Sequence, residues 1–318
     1  MAVILDAFSG IAQILFVLLL APGLTGLVRK IKAQLLLRQG PPVLQPYRNL
    51  SRLFRKEAVL AENASWLFRA APYLVFALTL VAAALVPTVA TERPFAIAAD
   101  LIAIIALLAS ARFFLALAGL DIGTSFGGIG SSREVMIASL AEPAMLMITF
   151  SIALIAGSTN LSAIAEFMAS HVELEVSFAL ALVGFIMVAI AENARIPVDN
   201  PATHLELTMV HEAMVLEYSG RHLALIEWAA SLKLLLYVSL LATIFAPWGI
   251  ATFGSGPAAA SVAVAAYLAK MALGAALLAI FEVSIAKMRV FRVPEFLGAA
   301  LMLGLLATLL RMVVRSIG

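Results

Sequence analysis

The 318-residue chain contains no cysteine. That excludes disulfides, thiolate-ligated zinc and any cysteine-ligated iron–sulfur cluster carried by this polypeptide alone. Charge is also scarce, at 13% of residues against 63% hydrophobic, with a formal net charge of +2. A water-soluble domain cannot bury so much apolar surface, so the solvent of this chain is lipid. Histidine occurs four times, at His171, His204, His211 and His222, each in or beside a polar segment. A haem held between two membrane-depth histidines is therefore not expected, and no HExxH pattern points to zinc. Walker A and GxGxxG patterns and any nucleophilic triad are missing too, so the chain is expected to catalyse no bond chemistry and to bind no cofactor alone. Nothing points to nucleic acid. The absence of an internal repeat argues against a secondary transporter built from duplicated halves.

What is present is a series of long apolar runs. A helix needs about 20 residues to cross roughly 30 Å of hydrocarbon. Eight stretches qualify, at about 5–28, 71–90, 97–119, 135–157, 177–193, 222–246, 260–285 and 296–314. The first lacks a basic leader and a cleavage site and reads as a retained span. The expectation is an all-α polytopic membrane protein in one integral domain, with a short interfacial helix between residues 157 and 176. Loops 29–69, 120–134, 194–221 and 286–296 hold 15 of the 21 Lys and Arg residues. The positive-inside rule then puts these loops in the cytoplasm and both termini outside.

Several charges fall inside or at the edge of spans: Asp100, Arg112, Glu142, Glu192, Glu227, Lys233, Lys270, Glu282 and Arg311. Each costs about 2.5–3.5 kcal/mol at bilayer centre on insertion scales, so a function or a partner must keep it there. Asp100 and Arg311, near span ends, are read as snorkelling. Glu142, Lys233 and Lys270 are read as parts of a proton or ion path. Glu142 precedes Pro143, which removes a helical hydrogen bond and frees a carbonyl beside the carboxylate.

The segment 191–222 carries Glu192, Asp199, Glu206, Glu212 and Glu217 with only two arginines, Arg195 and Arg221. Five acids on the positive-inside face run against the trend and are candidates for the same path. A helix is expected from about 202 to 217 after Pro201, with Glu206 and Glu217 within about 20° of each other. In the first inner loop, Arg38 with Gly40, Pro41 and Pro42 makes a rigid turn. Leu50, Leu53 and Phe54 with Arg48, Arg52, Arg55 and Lys56 then form a basic amphipathic stretch. Such a stretch either anchors to anionic headgroups or docks a soluble partner. Docking residues are expected at Arg38, Arg48, Arg52, Arg55, Lys56 and Arg195.

These motifs occur in a familiar order: Arg38-x-Gly40-Pro41, Leu44-Gln45-Pro46, Glu142, Ala191-Glu192, Arg195, Pro197, Asp199, Glu206-Leu207 and Glu217-Tyr218-Ser219-Gly220. They resemble subunit 1 of respiratory complex I over most of the chain. The shortened segment after Arg-x-Gly-Pro and the GlySerSerArgGlu of 130–134 are more similar to the hydrogenase branch, the membrane subunits of formate hydrogenlyase and hydrogenase-4 complexes. The resemblance implies peripheral redox partners, hydrogenase-like and carrying iron–sulfur and nickel–iron centres. It also implies antiporter-like membrane partners, a bacterial or archaeal cytoplasmic membrane, and coupling of electron transfer to proton or sodium movement. The complex I pattern would make 191–222 part of a quinone chamber. Ala202 and His204, however, stand where complex I members usually carry further acids. A stand-alone ion-coupled transporter and a passive anchor are the competing classes.

Overall fold

The computed structural model describes residues 2–88, 99–170, 175–199, 209–250 and 256–317. Eleven helices follow in chain order: α1 (Ala2–Leu35), α2 (Gln45–Phe54), α3 (Trp66–Leu85), α4 (Leu101–Asp121), α5 (Ser125–Ala156), α6 (Leu161–Ser170), α7 (Val176–Glu192), α8 (His211–Val215), α9 (Gly220–Phe245), α10 (Gly256–Ser284) and α11 (Val293–Ile317). No β-strand occurs among the described residues. Among the described residues seven helices are long and apolar enough to cross a membrane: α1, α3, α4, α5, α9, α10 and α11. The chain is an all-helical, multi-pass membrane protein. The eighth expected span is α7, apolar but only 17 residues long. It packs against α5 and α11, with Phe185 and Val188 fully buried.

Three boundaries differ from the sequence reading. First, α1 continues to Leu35, so Arg29, Lys30 and Lys32 are helical rather than in a loop. Second, 125–134 opens α5 instead of completing a loop. Thr124 caps that helix, its Oγ1 accepting from Gly127 N at 3.2 Å, and the small residues that read as loop are contact points. A Cβ on Gly130 would sit 2.9 Å from both Ala213 Cβ and the Val210 carbonyl, so α8 lies on α5 only because glycine is there. Third, the helix expected over 202–217 is a single short turn, α8, in its described part, and 202–208 lies outside the described residues. The short helix expected after residue 157 is α6.

Pro22 and Pro72 tie their helices to neighbouring segments. A proline lacks the N–H that would bond the carbonyl four residues back. Pro22 in α1 thereby frees the Leu18 carbonyl, and Trp228 of α9 donates its indole N–H to it at 3.1 Å. Pro72 in α3 frees the Phe68 carbonyl, and the Tyr218 hydroxyl donates to it at 3.1 Å. The Tyr218 and Phe68 rings stack with centroids 4.0 Å apart. Each proline thus exports one acceptor to a partner aromatic, which satisfies it where water is excluded. Around these joints α3 packs on α4 and α9, α1 on α9 and α10, and α11 on α5 and α7.

Asp100 does not snorkel; it caps α4, accepting from Ile102 N at 2.7 Å and from Thr159 Oγ1 at 2.6 Å. Arg311 pairs with Glu175 at 2.6 Å.

Candidate functional site

Four membrane-embedded helices each deliver one charged side chain to a common point. Arg112 of α4 sits between two acids: its Nε lies 3.1 Å from Glu134 Oε1 of α5, and its Nη2 pairs with Glu192 Oε2 at the end of α7. Lys233 of α9 reaches the same Glu192 Oε2 at 2.9 Å. The Arg112 and Glu192 side chains are 4% and 6% exposed. Ions taken this far from water are tolerated only with close partners, and two cations against two acids leave the set neutral. Glu142, half-buried on α5, lies two turns beyond Glu134 and within Coulombic range of Lys233 and Tyr237. It adds a fifth charge with no cation of its own among the described residues.

A second network lies one short segment away. Glu282 of α10, with a side chain 2% exposed, accepts Lys32 of α1 at 2.9 Å on Oε2 and Arg195 at 3.3 Å on Oε1. Burial pushes the Arg195 guanidinium below the ordinary arginine value, opposed by Glu282 and reinforced by Arg29. Asp199 binds Lys287 at 2.8 Å and accepts from Val210 N at 3.3 Å, while Met288 N donates to the Pro197 carbonyl at 2.9 Å. The strap 192–199 therefore has one end tied to α4 and α9 and the other tied to α1, α10 and the residues after α10. Ala194, at φ +48, makes its turn.

Of the residues expected on an ion path, the structure brings Glu192, Lys233 and Glu142 together and places Asp199 at the far end of the strap. Glu206 lies outside the described residues, as does His204. Glu212 is half-buried on α8, and Glu217, just after it, is exposed. Lys270 does not join them, because its Nζ donates to the Ala246 carbonyl at the end of α9, 2.6 Å away. Among the expected docking residues, Arg38, Arg48, Arg52, Arg55 and Lys56 are exposed. Arg195 instead turns inward to Glu282.

Sequence reasoning missed Glu134 and Lys32, taken for loop residues, and named no partners for Arg112 or Glu282. One signal could have found them. Deep acids and deep cations occur in similar numbers, and each acid needs a partner of opposite sign. No group of three or more His, Asp or Glu residues able to hold a metal forms among the described residues.

The fold and the buried charges define a polytopic helical membrane protein with an ion-pair network across its spans. Residues 9–313 match the family described as NADH dehydrogenase, and the chain belongs to that family. It is 35% identical over 290 residues to formate hydrogenlyase subunit 4 of Escherichia coli (strain K12), covering 90% of this chain and 92% of that one. It is 37% identical over 239 residues to hydrogenase-4 component C of the same organism, covering 75% of each. NADH-quinone oxidoreductase subunit 8 of Rhodothermus marinus is 29% identical over 217 residues, covering 65% of this chain and 62% of that one. The fold is that of a chain in the membrane-bound sulfane sulfur reductase, an archaeal respiratory membrane complex. The TM-score is 0.81 at 16% identity, covering 98% of this chain and 100% of the other. The resemblance read from the motifs, to complex I subunit 1 and its hydrogenase branch, thus agrees with these relatives.

Proposed function

We propose that this chain is the membrane subunit of a complex I-like redox complex of the formate hydrogenlyase or hydrogenase-4 type. It holds a peripheral redox arm at its basic, cytoplasmic end and couples electron transfer there to proton or sodium movement in a bacterial or archaeal cytoplasmic membrane. The observation that carries this reading is the convergence of Arg112, Glu134, Glu192 and Lys233 from four helices, with Glu142 beside them and without an ion pair among the described residues. Glu192 is both a member of this network and the first residue of the strap. Displacement of the strap therefore changes the distance between Glu192 and its two cations. At an effective dielectric of 20, one charge about 4 Å from another is worth roughly 4 kcal/mol. A movement at the basic end is in this way converted into a charge imbalance within the spans, which an ion arriving at Glu142 compensates.

Iron–sulfur and nickel–iron centres belong, on this reading, to hydrogenase-like partners docked through Arg38 and the exposed end of α1. Antiporter-like partners continue the path in the membrane. The deciding experiment uses vesicles in which redox turnover and pH-gradient formation are measured together. Glu142→Gln and Glu192→Gln should lower gradient formation far more than turnover, while Glu217→Gln, exposed, should change both little. Unchanged gradients in Glu142→Gln and Glu192→Gln would leave a passive anchor. Gradient formation by the chain purified alone would leave a stand-alone transporter.

A further inference from the structure

The basic face of α2 takes no part in either ion-pair network. Arg48, Arg52, Arg55 and Lys56 are exposed, and none forms an ion pair among the described residues. With Leu44, Tyr47 and Ser51 they line an open cavity of about 620 Å³. What these cations meet is decided by depth. The first turn of α2 is pressed into α1, where a Cβ on Gly26 would overlap the Val43 carbonyl and lie 3.2 Å from Pro46 Cδ. Gly26 precedes Arg29, the first cation of α1, by three residues, about 4.5 Å along the axis. Tyr47 reaches further in, its hydroxyl donating to the Leu19 carbonyl. At the other end Phe54 meets Trp228 with ring centroids 6.0 Å apart, and Trp228 is itself bonded to Leu18.

The first turn of α2 thus rests on the apolar stretch of α1, which continues past Gly26 for nine residues, about 13 Å, while the residues after α2 reach the start of α9, where a Cβ on Gly220 would overlap the Glu57 carbonyl. Beside the cations, Leu44 is 59% and Phe54 42% exposed. Cations on the outer face with open apolar side chains beside them are what the boundary between headgroups and acyl chains requires.

We propose that the exposed face of α2 is a binding site for the phosphate headgroup of an anionic phospholipid. Arg48, Arg52, Arg55 and Lys56 hold the phosphate, Ser51 offers a hydroxyl, and an acyl chain lies against Leu44 and Phe54. Guanidinium forks match phosphate oxygens in pairs, and each cation near the surface of an anionic membrane strengthens binding about five-fold, the equivalent of about 1 kcal/mol.

The test is the full-length chain, purified with its copurifying partners, in nanodiscs of equal phosphatidylglycerol and phosphatidylcholine. Lipid retained after detergent extraction is counted by mass spectrometry. The wild type should retain phosphatidylglycerol several-fold over phosphatidylcholine. Neutralising all four cations to Gln should abolish that preference, whereas Arg52→Lys with Arg55→Lys should keep it. Millimolar inorganic phosphate should not displace the lipid; displacement would assign the site to a free anion. Equal retention of both lipids by the wild type would overturn the proposal even if the neutralised variant is not recovered. Loss of soluble partners with the lipid preference intact would also overturn it, in favour of a protein dock.

Discussion

The two buried networks use the same device with opposite surplus. In each, one carboxylate is shared by two cations from different parts of the chain: Glu192 by Arg112 and Lys233, Glu282 by Lys32 and Arg195. Around Glu282 the surplus is positive, with Arg29 close enough to act on Arg195. Each oxygen of Glu282 has its own cation. Around Glu192 both cations converge on one oxygen, Glu134 balances them, and Glu142 tips the set to a negative surplus. A carboxylate outnumbered by cations is a fixed staple. On the proposed function, a set with one acid too many can take up a cation when its geometry changes, so the first network would be structural and the second the working one, with the strap between them passing on position.

The comparison breaks most visibly at Glu282. Glu282→Gln leaves Lys32 and Arg195, both half-buried, without their counter-charge, and a thermal or denaturant melt in detergent should show a loss of up to about 3–5 kcal/mol. A melt within error of wild type would show that water reaches this network and that it is no staple. Next comes the joint between α1 and α9, the bond from Trp228 to the Leu18 carbonyl. Trp228→Phe should cost about 1–3 kcal/mol by leaving that carbonyl unsatisfied. Adding Pro22→Ala, which restores an N–H to bond Leu18 within α1, should recover much of the loss; failure to recover would assign the cost to packing of the indole ring.

Glu142→Gln sharpens the contrast from the other side. It removes the surplus acid, so stability should change by no more than about 1 kcal/mol while gradient formation in vesicles falls. A large destabilisation with gradient formation intact would reverse the roles assigned to the two networks. The smallest effect is expected at Glu175, whose pair with Arg311 is partly exposed. Glu175→Gln should cost at most about 1 kcal/mol in the same melt, giving the scale against which Glu282 is judged.

Much of this was legible in the sequence because the bilayer imposes simple rules. The spans follow from apolar length, and the amphipathic stretch at 48–56 appears as α2. Boundaries were lost where small residues serve contact rather than turning. Gly127 and Gly130 read as a loop, yet they are buried helix positions that admit neighbouring backbone. Partners were lost for a different reason. Arg112 and Glu134 are separated by 22 positions, and Arg112 and Glu192 by 80, so no helical or strand period connects them.

The sequence by itself determined that the chain crosses the membrane many times, that it carries no redox centre on cysteine, and that deep charges had to be paired. Water-free hydrocarbon enforces the first and third of these, and the absence of cysteine the second, without reference to any contact. Only the tertiary structure decided which charge meets which. It set Glu192 between two cations, turned Arg195 inward to Glu282, drew Lys270 to the end of α9 and laid α2 at the level of Gly26. Pairing depends on how the helices are rotated and how deep they sit, and these are fixed by contacts such as Trp228 on Leu18 between residues far apart in the chain.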